Sequence, residues 1–311
     1  MTRLSFAIPS KGRLKEQSEK WLAESGFRLR QQGGGRGYTA ALKGLPEIDV
    51  MLLSAREIAE GLISGDLHVG ITGEDLIHDL SSDVERDVHR FRQLGFGGAD
   101  VVVAVPAAWF DVVSMADLEA AAALFREKHG RQMRVATKYM NLTRRFFAER
   151  AVGEYRIIES AGATEAAPAA GSAELIVDIT STGSTLKANQ LKLLSDGTLV
   201  KSEAALFGSK QAPWSESVHA HLKVLLSGME ATAAGRALRK LSATVPLTPN
   251  LIAQFDLTPF ETHAALCDQE RAGEVARNLA IALGSAVIVS RIEQVYQPQS
   301  DGHALFVKNM S

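Results

Sequence analysis

Residues 174–189 read E-L-I-V-D-I-T-S-T-G-S-T-L-K-A-N. The segment 175–179 is apolar and β-branched, interrupted only by Asp178, the pattern of a buried parallel strand. A run of small hydroxyl residues with one glycine follows: Thr180, Ser181, Thr182, Gly183, Ser184 and Thr185. Residues 186–189 are compatible with a helix. Strand, small-residue loop and helix start aim unpaired backbone N–H groups and the positive end of a helix dipole at one point. Gly183 permits a positive φ or a close backbone approach, and the hydroxyls add donors. Such a concavity suits a phosphate monoester. The same pattern also fits a buried turn whose Ser and Thr cap a helix.

Asp178 narrows the ligand. A carboxylate just before a phosphate cradle repels the phosphate unless it binds another part of the same molecule. A ribose diol can donate two hydroxyls to one carboxylate, and a 5-phosphoribosyl group carries both features. The glycine–lysine order of G-x-x-x-x-G-K-[ST] is absent, so this is not a Walker A loop.

Composition sets the frame. The chain has 311 residues, 46% hydrophobic and 23% charged, ordinary for a folded protein and long enough for two or three domains. A net charge of −2 gives no bulk attraction to nucleic acid. The single cysteine, Cys267, excludes a disulfide within the chain and reads as a small buried hydrophobe. No apolar run approaches the ~20 residues that span a bilayer, and the N-terminus lacks a signal-peptide pattern. The expectation is a cytoplasmic protein with neither membrane nor nucleic-acid partner.

Taken with four further segments, the loop is specific. In order they are Ser10-Lys11-Gly12-Arg13-Leu14, Gly70-Ile71-Thr72-Gly73-Glu74-Asp75-Leu76, Leu94-Gly95-Phe96-Gly97-Gly98 and Ala136-Thr137-Lys138-Tyr139-Met140-Asn141-Leu142. Together with residues 177–189 they resemble ATP phosphoribosyltransferase, the family that opens histidine biosynthesis. The resemblance covers about the first 210 residues. It implies an α/β fold with a two-lobed, periplasmic-binding-protein-like catalytic part, its ligands held between the lobes.

The chain order agrees with α/β lobes. Residues 4–8 read as a strand and 13–24 as a helix closed by Gly26, placing Lys11 and Arg13 at a strand's carboxyl end. Residues 48–53 and 67–71 read as strands around a helix at 55–63, implying parallel pairing. Residues 95–98 read as a linker into a second sheet. Ser114 and Asp117 form a capping-box pattern, and 134–137 and 141–150 read as strand and helix. Residues 160–167 read as another strand-to-helix turn with Glu165 in the first helical turn, where charge–dipole stabilisation alone would explain it. Residues 201–207 read as a strand returning to the first lobe. Gly33, Gly34, Gly35 and Arg36 lie in a glycine-rich surface loop, with Arg36 a candidate ligand contact.

Expected domain bounds are 1–98 with about 190–212 for lobe I, 99–189 for lobe II, and 213–311 for a small α+β C-terminal domain. In that last region 214–241 reads as largely helical, 271–283 as a helix, and 286–289 and 304–307 as strands. His219 and His221 are two apart, so on a helix they cannot share a metal. Long members of the family carry a ferredoxin-like regulatory domain here that binds histidine, but its first strand is not recognisable.

By the resemblance, N1 of ATP attacks C1 of 5-phosphoribosyl pyrophosphate and pyrophosphate leaves with inversion. The lone pair on N1 needs no strong base, so the work is positioning and charge stabilisation. Asp178 would hold the ribose hydroxyls. Ser181, Thr182, Gly183, Ser184 and Thr185 would hold the 5-phosphate, and Lys11 and Arg13 would face the pyrophosphate. Glu165, Tyr139 and Thr137 would lie near the nucleotide. Many members have an arginine where this chain has Ser54, and Arg56 is the candidate replacement. Mg²⁺ would be carried by the substrate, with no protein metal cluster. The resemblance also implies a homo-oligomer, dimer or hexamer, and a histidine effector. A non-catalytic clamshell that senses a phosphorylated metabolite is the competing reading; it would need neither Lys11 nor Asp178.

Overall fold

The computed structural model describes residues 3–31, 38–160, 162–296 and 300–310. Gly33–Gly35 and Arg36 therefore lie outside the described residues.

The chain opens with β1 (Leu4–Pro9), α1 (Gly12–Glu24), β2 (Leu29–Gln31), β3 (Thr39–Leu42), β4 (Leu45–Leu53), α2 (Ala55–Ser64), β5 (Val69–Gly73), α3 (Glu74–Leu80), α4 (Val84–Asp87) and β6 (Val88–Gln93). It continues with β7 (Ala99–Pro106), α5 (Met115–His129), β8 (Met133–Thr137), α6 (Met140–Glu149), β9 (Tyr155–Glu159), β10 (Leu175–Thr180), α7 (Ser184–Ala188) and β11 (Leu191–Ser202). Then come β12 (Ala204–Ser209), α8 (Glu216–Ala237), β13 (Leu238–Ala243), α9 (Pro249–Gln254), β14 (Thr258–Glu261), β15 (Ala264–Asp268), α10 (Ala272–Leu283), β16 (Val287–Arg291) and α11 (Asp301–Met310).

Local chemistry explains many of these bounds. Ser54 and Glu57 bond reciprocally to open α2, and Ser114 and Asp117 do the same for α5, each filling amides that a helix start leaves unpaired. Gly65 ends α2 at φ +88°, a conformation that favours glycine.

Three sheets result. The first has the order β2-β3-β4-β1-β5-β12-β6, with β1 parallel to both β4 and β5. The second has the order β11-β7-β10-β8-β9; β10 runs parallel to β8 and antiparallel to β7. The backbone passes between these sheets at residues 94–98 and again at Glu203, giving two lobes joined by two crossings. The expected boundary near residue 190 is corrected by β11, which pairs along β7 in the second lobe. The return to lobe I comes with β12, antiparallel to β5 and β6.

The third sheet has the order β14-β15-β13-β16, with every pairing antiparallel. Its chain order is βαββαβ, the ferredoxin-like arrangement. The strand that sequence reasoning could not find is β13. Residues 214–241 were expected to stay helical, but α8 ends at Ala237 and Leu238 enters a strand paired on both sides. Tertiary pairing overrides the helix-compatible composition of Leu238, Arg239, Lys240 and Leu241.

Two further corrections concern the tail. Residues 304–307 form part of helix α11 rather than a strand. Ser300 Oγ accepts from the His303 amide at 3.2 Å and so caps this helix. Phe306 is 0% exposed. It packs with Leu222 and Leu225 of α8 in the core that also holds Leu4, Phe6 and Ile8 of β1. Helices α8 and α11 thus pack on lobe I, and the third sheet with its two helices lies within residues 238–291. Cys267 is buried within that unit's core, as expected.

Candidate active site

Between the lobes lies a cleft of about 570 Å³. Lobe I supplies Arg13 and Gln17 from α1, Arg56 from α2 and Asp75 from α3; lobe II supplies Lys138, Tyr139, Glu159 and Ser160. Arg13, Arg56 and Lys138 thus bring three cations to one concavity. Of the expected residues, the cleft wall gathers Arg13, Arg56 and Tyr139. Lys11 is exposed beside it as the N-cap of α1. Its charge adds a smaller pull to the Ser54 hydrogen bonds that hold the Glu57 carboxyl below the usual range.

The loop after β10 adopts the turn expected from its composition. Gly183 takes φ +71° at the N-cap of α7, where a side chain would be strained. The hydroxyls organise the loop: Thr180 Oγ1 accepts from the Gly183 amide at 2.9 Å, and Thr182 Oγ1 lies 2.9 Å from Ser184 Oγ. Ser181, Thr182, Ser184 and Thr185 are exposed, so an incoming ligand meets them without core rearrangement.

Asp178 stands at the same strand end, half-buried. Burial raises its pKa, and the nearby Glu165 carboxylate pushes the same way; the Ile179 amide and Lys138 oppose them. Two carboxylates beside one cation suit a ligand that donates hydroxyls and carries negative charge elsewhere. Glu165 itself sits in a single 3₁₀ turn, Thr164–Ala166, shorter than the helix expected there.

Two of the expected residues are buried. Thr137 is 0% exposed, and its Oγ1 accepts from the Tyr139 amide at 2.9 Å, which shapes the turn into α6. Tyr139 is 1% exposed, and its hydroxyl donates to Asp75 Oδ2 at 2.7 Å. Burial, reinforced by the Asp75 charge, raises the phenol pKa strongly, so it remains a hydrogen-bond donor. Its ring borders the cleft while its polar end is already committed.

Gln17, Lys138, Asp75, Glu159 and Ser160 were not singled out from the sequence. Gln17 had a signal: it lies four residues after Arg13, on the same helical face. Lys138 follows directly on β8, at a strand's carboxyl end. The Oε1 atom of Gln17 is buried with no hydrogen-bond partner among the described residues.

A larger cavity, about 750 Å³, lies elsewhere, between α1, α8 and the turn from β15 to α10. None of the expected catalytic or binding residues lines it.

Comparison with known proteins follows the same lines. The family model for ATP phosphoribosyltransferase matches residues 54–231. The ATP phosphoribosyltransferase of Caulobacter vibrioides is 48% identical over 306 residues, spanning 96% of this chain and 95% of that one. That of a Bradyrhizobium species is 50% identical over 238 residues, 76% of this chain and 73% of its own. Among solved structures, a chain of the ATP phosphoribosyl transferase complex from Thermotoga maritima superposes with a TM-score of 0.55. It is 24% identical and covers 73% of this chain and 95% of its own, a likeness of fold.

Proposed function

The chain belongs to the ATP phosphoribosyltransferase family, and from that premise we propose that the interlobe cleft is where its reaction takes place. The enzyme transfers the 5-phosphoribosyl group from phosphoribosyl pyrophosphate to N1 of ATP and releases pyrophosphate, the first step of histidine biosynthesis. The observation that carries the siting is the convergence of Arg13, Arg56 and Lys138 from both lobes on one cleft.

In this reading the loop from Ser181 to Thr185 grips the 5-phosphate and Asp178 grips the ribose hydroxyls. Lys11, Arg13 and Arg56 face the departing pyrophosphate, and Lys138 and Glu165 flank the sugar. As the C1–oxygen bond lengthens, positive charge grows on the ribose beside Asp178 and Glu165. Negative charge grows on the pyrophosphate beside the cations. Preorganised charges of both signs stabilise that separation without reorganising at the moment of reaction. N1 of adenine attacks from the opposite face of C1, so the protein needs no general base; it needs the two substrates aligned.

Mg²⁺ would enter with the substrate and belongs to the same proposal. Asp178 and Glu165 are the carboxylates that would meet the ion's water shell, and its charge would assist departure of the leaving group. The domain reading follows the sheets: residues 99–202 as lobe II, 238–291 as a regulatory unit, and the remainder as lobe I. A histidine effector acting through residues 238–291 belongs to this proposal, as does assembly into a homo-oligomer. No described helix is long and apolar enough to cross a membrane, and a cytoplasmic setting is part of the same reading.

Mixing the protein with ATP, phosphoribosyl pyrophosphate and Mg²⁺ is expected to produce the ultraviolet absorbance of an N1-substituted adenine nucleotide. The signal should disappear when a chelator removes the metal. Absence of product with both substrates and Mg²⁺ would reverse the assignment in favour of a sensing clamshell. For the effector, calorimetric titration with histidine should give heat and inhibition; neither at millimolar concentration would remove it.

A further inference from the structure

We propose that Asp79 is a positioning residue for the transfer reaction, tying the start of α6 in lobe II to the cleft-facing Arg56 of lobe I. The inference rests on the siting of the reaction in the interlobe cleft. A helix start leaves backbone amides without partners. At α6 the N-cap residue is Tyr139, whose side chain makes no capping bond. The cap comes instead from the opposite lobe: Asp79 Oδ1 accepts from the Asn141 and Leu142 amides, at 3.1 and 3.0 Å. Its other oxygen, Oδ2, lies 3.9 Å from the Arg56 guanidinium, and the Asp79 side chain is 2% exposed.

One buried carboxylate therefore caps a helix start on one wall of the cleft and lies within ion-pair range of Arg56 on the other, whose Nε also donates to Glu60 at 3.0 Å. The same short helix, α3, makes further ties to lobe II. Asp75 accepts from the Tyr139 hydroxyl and from Ser202 Oγ, each at 2.7 Å. The His78 carbonyl accepts from Arg145. A cap supplied from within lobe II would stabilise α6 alone. A cap supplied across the interface makes that helix start depend on how the lobes sit, because separating them strands two amides and a charge. The consequence for catalysis is a set distance between Arg56 and the turn at residues 138–140, between which the substrates must align.

The test compares Asp79→Ala, Asp79→Asn and Arg56→Ala by kcat and KM for both substrates, with unfolding midpoints measured alongside. Rates are taken well below each midpoint, so that a purely structural role leaves them unchanged. Asp79→Ala is expected to lose about 10- to 100-fold in kcat/KM, the scale of a misplaced reacting geometry. Asp79→Asn keeps an acceptor for the two amides but no charge toward Arg56. It should regain most of the midpoint yet stay several-fold impaired, and it carries the test if the alanine variant does not fold. Adding Asp79→Asn to Arg56→Ala should cost little more than Arg56→Ala alone, because the two share one interaction. Wild-type kinetics in Asp79→Asn beside an impaired Arg56→Ala would overturn this inference and spare the cleft assignment. Wild-type kinetics in Arg56→Ala would overturn both.

Discussion

Replacing Asp178 with alanine is expected to lower kcat/KM about 30- to 1,000-fold, equivalent to ~2–4 kcal/mol of transition-state stabilisation. The carboxylate is half-buried at the end of β10, immediately before the loop whose hydroxyls are exposed toward solvent. Its role is to accept the ribose hydroxyls and to balance positive charge developing at C1. Both tasks need the ionised form. Burial raises its pKa, with Glu165 adding to the shift. The raised value means that protonation sets in at a higher pH than for an ordinary aspartate, and activity should decline as pH falls through it. Steady-state kinetics on the purified variant decide the matter; turnover within a few-fold of the unaltered enzyme would remove Asp178 from the reaction.

The second large effect is on stability. Phe306→Ala should destabilise the protein by about 3–5 kcal/mol, the usual cost of emptying a fully buried aromatic site. Phe306 is 0% exposed, with its ring centroid 4.9 Å from that of Trp214 and 5.1 Å from that of Phe91. These partners belong to the lobe I core that contains β1. The loss is a large share of the ~5–15 kcal/mol that holds an ordinary domain folded. It should therefore appear as a lower denaturant midpoint in the transition that also abolishes transferase activity. If the catalytic transition kept its midpoint in this variant, the C-terminal helix would be shown to be dispensable to lobe I.

These two residues mark the limits of what the sequence discloses. The position of Asp178 near the end of a strand was legible because its signal is local: an apolar strand, one carboxylate, then small hydroxyl residues and a glycine. The capping boxes at Ser54 and Ser114 were legible in principle for the same reason, and the second was recognised. The burial of Thr137 also had a local signal. With Met133 and Val135 that residue shares the period-2 face of β8 that turns into the lobe II core, whereas the adjacent Lys138 lines the cleft.

Phe306 shows the opposite case. A-L-F-V is short and apolar, and such runs fit a strand or a buried helix equally well. Only its packing against α8 and β6 decides. β13 was hidden because L-R-K-L-S-A carries no strand signature of its own and is made a strand by β15 and β16 on either side. Asp79 was illegible for a similar reason. The amides it caps are 62 and 63 positions away in the chain, a separation across which sequence pattern carries no information about contact.

A crystal structure with phosphoribosyl pyrophosphate and Mg²⁺ bound is the most direct measurement. It should show the 5-phosphate seated on the loop at Thr182, Gly183, Ser184 and Thr185, with both ribose hydroxyls donating to Asp178 and the pyrophosphate turned toward Arg13 and Arg56. Sugar phosphate bound outside that loop, or Asp178 pointing away from an occupied cleft, would contradict it.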